Sequence, residues 1–274
     1  MSRFSLIRPA ISAAFRSGWI WLIQSLGNIA LAILFTLWLW IPEAHAWQVA
    51  ASVILAAALI CGTLVLHGGT LNYFLDRAAG PRACFGTTFG RAFRHVLPFA
   101  IWLFVAYILW MQLNRLDAFA EQVPTFLRSE FPVWLRRHVT LNALEDAYAT
   151  CEFILQWIVA LGLLLPLALQ TATRGFGGFG KKGLAAWGRT IARWDYWTVL
   201  AIAAFLGVWA SNWDVSWRPT GANATENMET ISLVFRILAA YLLMLGSWLT
   251  TCSMLGACAA SGADSGGKPA DKPA

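Results

Sequence analysis

The chain has 274 residues, 58% of them apolar and only 12% charged, with 20 Lys and Arg against 14 Asp and Glu for a net charge of +6. Ordinary soluble domains carry about 25% charged residues, so this composition excludes a water-solvated globule. The positive balance could suit nucleic acid, but the cations sit in short clusters between apolar runs, and no nucleic-acid partner is expected.

Six runs, at 19–40, 47–66, 96–113, 148–169, 196–213 and 237–259, are apolar over about one bilayer crossing. Roughly 20 such residues cross a ~30 Å hydrocarbon core as a helix. In lipid a helix satisfies its own backbone groups, so helices are expected. The predicted fold class is all-α, a polytopic bundle of six transmembrane helices with short interfacial amphipathic helices.

Residues 1–18 hold Arg3, Arg8 and Arg16 and read as an amphipathic lead-in, with Trp19 and Trp21 where the chain meets the bilayer. Ala44-His45-Ala46 resembles a signal-peptide cleavage site, yet the preceding run of roughly 22 residues exceeds the usual ~7–15. The first span is expected to be retained. Pro42 and Glu43 make a turn, and after the second span residues 67–77 stay helical in composition, with Asn72 and Asp76 on one face. Gly80-Pro81 breaks that helix. Phe85, Phe89 and Phe93 then fall four apart beside Arg91 and Arg94, the pattern of a helix lying in the interface with its cations at anionic head groups.

Residues 114–147 form the long extramembrane stretch, divided by Pro124 and Pro132. Its aromatics suit the membrane surface, its mixed charges permit local ion pairs, and it is expected to cap the bundle or meet other membrane subunits. The fourth span carries Glu152 and Gln156 near one end and Pro166 deeper, where a kink is predicted. The loop TRGFGGFGKKG at 173–183 lacks a phosphate-loop register and reads as flexible. A third lead-in, with Arg189 and Arg193, enters the fifth span. Beyond it come the turn-like Pro219-Thr220-Gly221 and the glycosylation-acceptor pattern Asn223-Ala224-Thr225, and residues 261–274 read as a disordered cytoplasmic tail.

Aligning Phe89-Gly90-Arg91 with Trp187-Gly188-Arg189 gives an offset of 98, and Phe15-Arg16 takes the same place in a first unit. Three parallel helical-hairpin repeats, about 11–78, 83–173 and 181–260, are therefore expected around a pseudo-threefold axis along the membrane normal. Fourteen of the 20 cations fall in the segments on the side of the termini, and ten of the 14 acids on the other. The positive-inside rule puts both termini in the cytoplasm.

The residues Gly68-Gly69-Thr70, Asp76, Gly80 and Phe89-Gly90-Arg91 carry a resemblance to uncharacterised bacterial six-helix membrane proteins. These are similar to the membrane domain accompanying some glycerophosphodiester phosphodiesterases. The resemblance implies a bacterial inner-membrane location and transfers no catalytic residue, because the phosphodiesterase chemistry belongs to a separate soluble domain.

Polar residues within spans are the functional candidates in a membrane protein: Gln24 with Asn28 on one face of the first span, and Glu152 with Gln156 in the fourth. Arg91, Arg94, Arg189 and Arg193 read as head-group anchors. The chain has neither GxSxG nor HExxH, its histidines are split between the faces, and its five cysteines read as free, buried thiols. No enzyme activity, metal or cofactor is expected. The expected role is a scaffold or subunit of a membrane complex, with a permease or lipid-handling protein as the alternative.

Overall fold

In a computed structural model the described residues are 5–42, 44–80, 83–216 and 226–264, with only the backbone described for 226, 227 and 262–264. Glu43, Pro81, the Pro219-Thr220-Gly221 turn, the Asn223-Ala224-Thr225 pattern and the tail beyond 264 lie outside them. The described residues are helical throughout, joined by short turns, and six of their helices are long and apolar enough to cross a membrane. The chain is a multi-pass membrane protein.

A short helix α1 (Ile7–Arg16) ends at Ser17, whose backbone leaves the helical region and whose hydroxyl donates to Ala13 O at 2.7 Å. The crossing helix α2 (Gly18–Leu39) runs out, and α3 (Ala46–Ala79) returns. The second hairpin repeats this order with a short α4 (Phe85–Arg94) and the crossing helix α5 (Val96–Asn114). On the far side lie α6 (Gln122–Glu130) and α7 (Val133–His138). The return is α8 (Leu141–Phe153), a π-helical stretch Ile154–Ala160, and α9 (Leu161–Arg174). The last hairpin has α10 (Lys181–Ile191), α11 (Trp194–Ala204), a π-helical stretch Phe205–Ala210, α12 (Ser211–Ser216) and the return helix α13 (Glu226–Asp264). At 1.5 Å per residue, the 34 residues of α3 and the 39 of α13 reach well beyond the ~30 Å hydrocarbon core. The last helix starts at Glu226, eleven residues before the expected span, because polar residues add turns to a helix already nucleated by its apolar run.

The short helices pack by one rule. α4 lies on α3, α10 on α9, and α1 on α13, so each rests on the return helix of the hairpin before it and the first rests on the last. Each buries a pair of small residues one turn apart: Ala10 and Ala14, Thr88 and Ala92, Ala186 and Thr190. The pairs are spaced 78 and 98 residues along the chain. Small residues let helix backbones approach where no hydrophobic force drives association.

Two further sets share the same spacing. Ser17, His95 and Arg193 stand at the joints between short and crossing helices, and each bonds the return helix of its own hairpin. Tyr73 donates to Ser17 Oγ at 3.3 Å, His95 Nδ1 to Ala172 O at 3.2 Å, and Arg193 to Ser261 Oγ at 2.9 Å. Four residues on, Trp21, Phe99 and Trp197 each cover a glycine of the preceding return helix, namely Gly246, Gly68 and Gly162. A Cβ there would meet the rings at 3.2, 3.3 and 2.2 Å.

Candidate functional site

The polar residues picked from the sequence are distributed among helix contacts. Gln24 is fully buried, and its amide donates to Leu66 O at 3.3 Å and to Thr70 Oγ1, tying α2 to α3. Asn28, one turn on, donates to the Tyr241 hydroxyl of α13 at 3.5 Å. Gln156 is buried in the π-helical stretch, where its amide reaches Glu152 Oε1 at 2.8 Å and Leu113 O of α5 at 3.4 Å. The structure thus brings Glu152 and Gln156 together and engages Gln24 and Asn28 with two other helices.

The four arginines divide in the same way. Arg91 forms a two-pronged pair with Asp76 at 3.1 and 3.3 Å, joining α4 to α3. Arg193 bridges Ser261 and the buried carboxylate of Asp195, at 2.9 and 3.5 Å. Arg94 and Arg189 stay exposed on the outward faces of α4 and α10.

The densest set of side-chain donors surrounds Pro166 in α9. Proline lacks an N–H and its ring pushes on the preceding turn, so Gly162 O loses its helical donor where lipid offers none, and the next two carbonyls take side-chain donors as well. Tyr196 of α11 donates to Gly162 O at 3.0 Å, Trp187 of α10 to Leu163 O at 2.7 Å, and Trp102 of α5 to Leu164 O at 3.3 Å. Three helices are thereby pinned to α9 at one turn. Sequence reasoning placed the proline but not its partners, since an aromatic hydroxyl or indole in an apolar run carries no mark of what it will reach.

Asn72, which shares a helix face with Asp76, is fully buried and donates to Thr88 O at 3.2 Å and Ala172 O at 3.3 Å. Ser253, on α13, does the same for α1, donating to Ala10 O at 2.8 Å. Thr88 and Ala10 are the first members of the spaced small pairs, so a return helix holds each of these short helices by the same backbone carbonyl. A third unanticipated pair lies where α3 meets α13: the rings of His67 and Trp248 stand edge to face, 5.3 Å apart at 84°. Their Nδ1 and Nε1 atoms are buried without a partner.

All five cysteines are free, but only Cys252 and Cys258 are buried, Cys61 is half-buried, and Cys84 and Cys151 are exposed. This corrects the expectation of five buried thiols. Cys84 stands at the N-cap position of α4 without a capping hydrogen bond from its side chain, and the nearby backbone N–H groups of Thr87 and Gly86 hold its thiol below its ordinary pKa by favouring the thiolate. The glycine-rich loop is also tighter than expected. Gly175 has φ +61°, a conformation suited to glycine, and a Cβ on Gly183 would fall within 1.9 Å of Gly178 O. Among the described residues, no three of His, Cys, Asp and Glu gather as metal ligands.

The segment 114–147 differs from expectation in one respect. Among its described residues no ion pair forms. Arg136 instead donates to the backbone carbonyls of Phe131 and Ser129, at 2.6 and 2.8 Å, closing the turn between α6 and α7. Phe126, Val133 and Trp134 are each more than 60% exposed.

No protein-family model, curated protein or solved structure matches the chain.

Proposed function

We propose that the protein is a non-catalytic scaffold or subunit of a membrane complex, built as three parallel hairpin repeats about a pseudo-threefold axis. In this reading it sits in a bacterial inner membrane with both termini cytoplasmic, and residues 114–147 meet another membrane subunit. The observation that carries it is how the intramembrane polar groups are used. Gln24, Asn28, Asn72, Gln156 and Tyr196 each bond a neighbouring helix, which is interhelical glue and no lining for a substrate.

The repeats are supported by the spacing of 78 and 98 residues shared by the buried pairs, the joint residues and the aromatic-on-glycine contacts. The proposed kinship with the membrane domain beside glycerophosphodiester phosphodiesterases gains a physical sense here. Gly68 and Gly69 lie under Phe99 and Phe89, Thr70 meets Gln24, and Asp76 pairs with Arg91. That motif is the joint between α3, its crossing partner α2, and the next hairpin.

Purification in mild detergent followed by native electrophoresis tests the reading. A species heavier than one chain is expected, and replacing Phe126, Val133 and Trp134 with serine should reduce it to a single folded chain. A wild-type protein that runs as a lone monodisperse chain overturns the proposal. The alternative, a permease or lipid-handling path along the axis, predicts that Asn28→Leu with Gln156→Leu abolishes flux while the fold survives. The His67–Trp248 contact, which fills space between two return helices, weighs against an open path there.

A further inference from the structure

The apolar stripe of α1 is Ile7, Ile11 and Phe15; that of α4, 78 residues later, is Phe85, Phe89 and Phe93. In α4 the first two rings are spent on packing. Phe85 stacks on Tyr73 with centroids 5.0 Å apart, and Phe89 covers Gly69. In α1 the smaller isoleucines at those places leave a groove of about 680 Å³ between α1, the fifth crossing segment and α13. Its lining is overwhelmingly apolar, with Ile7, Ile11 and Phe15 facing Leu206, Ala239 and Leu242. The volume lies within the ~300–1,000 Å³ of small-ligand sites.

A second recess of about 530 Å³ shares Ile7 and Ile11 with the groove and adds Arg8 and Ser12. Arg8 is exposed and has no acidic partner among the described residues, and α1 contains no acid at all. An unpaired cation at the bilayer surface therefore stands where an apolar groove opens into the membrane. Cations so placed attract anionic head groups.

We propose that this groove binds one anionic phospholipid of the bilayer, an acyl chain lying along Ile7, Ile11 and Phe15 and the phosphate beside Arg8. The inference rests on the packing of α1 against α13 and is independent of the scaffold reading. Chain and head group are recognised separately, the chain by the groove and the charge by Arg8.

Native mass spectrometry of the delipidated full chain, titrated with dioleoylphosphatidylglycerol or dioleoylphosphatidylcholine, tests it. One phosphatidylglycerol should be retained in preference to phosphatidylcholine. Arg8→Gln should weaken that retention about fivefold, the equivalent of the ~1 kcal/mol one cation contributes at an anionic surface. Ala239→Trp, at an exposed groove position, should abolish it, and Arg137→Gln, an exposed cation on α7 at the other end of the bundle, should leave it unchanged. If Ala239→Trp aggregates, Leu242→Trp, also exposed, takes its place. Equal retention of the two lipids, or phosphatidylglycerol retained undiminished by both groove and Arg8 variants, overturns the proposal. So does a two-chain species that the groove variant splits, which would give the groove to a second copy.

Discussion

At the scale of single residues, Tyr196 illustrates how a membrane interior assigns roles. Its ring is fully buried and its hydroxyl reaches Gly162 O, the carbonyl that Pro166 leaves without a helical donor. Tyr196→Phe keeps the ring and removes the donor, so it should cost about 1–3 kcal/mol, read as a shift in the midpoint of detergent-denaturant unfolding. An unchanged midpoint would mean that the bared carbonyl finds another donor. Cys84 gives a prediction of a different kind. The helix start favours its thiolate, so its alkylation by iodoacetamide should reach half its maximal rate at a lower pH than that of an ordinary exposed thiol. A midpoint at the ordinary value would show that the α4 N–H groups do not face the sulfur. Neither role is legible in the sequence, where a tyrosine in an apolar run and a cysteine before a helix look like many others. Gln24, Asn28, Glu152 and Gln156 were conspicuous because polarity in a span is costly; which helix each would bond depended on packing.

Among elements, the docking of α4 on α3 sets two kinds of interaction side by side. Arg91 and Asp76 are about a third and a quarter exposed in their side chains, so solvent screens the pair and its worth is at most ~1 kcal/mol. Asn72 is fully buried and reaches carbonyls on both α4 and α9. Asn72→Leu should therefore destabilise by about 1–3 kcal/mol, and Asp76→Asn by less. If thermal unfolding ranks the two variants in the opposite order, charge holds the short helix. Glycines give the same contrast. Gly162→Ala would press a methyl into Trp197 at 2.2 Å and should destabilise, whereas Gly90→Ala meets nothing within 4 Å and should stabilise by about 0.5–1 kcal/mol. The amphipathic character of all three short helices was plain from residues four apart. Their partners were not, because α1 rests on a helix more than 200 residues away in the chain.

At the level of the whole molecule, α1 is bonded to the last turns of α13, which places the first and last described helices on one face. The bias of cations toward that side predicts that it faces the cytoplasm. A membrane-impermeant maleimide added to intact cells should then label Ser129→Cys in α6, where Ser129 is exposed, and spare Cys84. Inverted vesicles should give the reverse, and labelling of Cys84 from outside would turn the orientation over. What the sequence determined by itself is the number of crossings, their helical character, the short amphipathic helices and the bias of charge, because each follows from local composition against a bilayer of known thickness. Only the tertiary structure decided that α4 and α10 sit on the hairpin before them and α1 on the last helix, that Pro166 gathers donors from three helices, and that α1 leaves a groove where α4 fills one. Those outcomes turn on which residues meet across spans tens to hundreds of positions apart, and in a chain apolar on nearly every face, hydrophobic pattern no longer distinguishes the side that meets protein from the side that meets lipid.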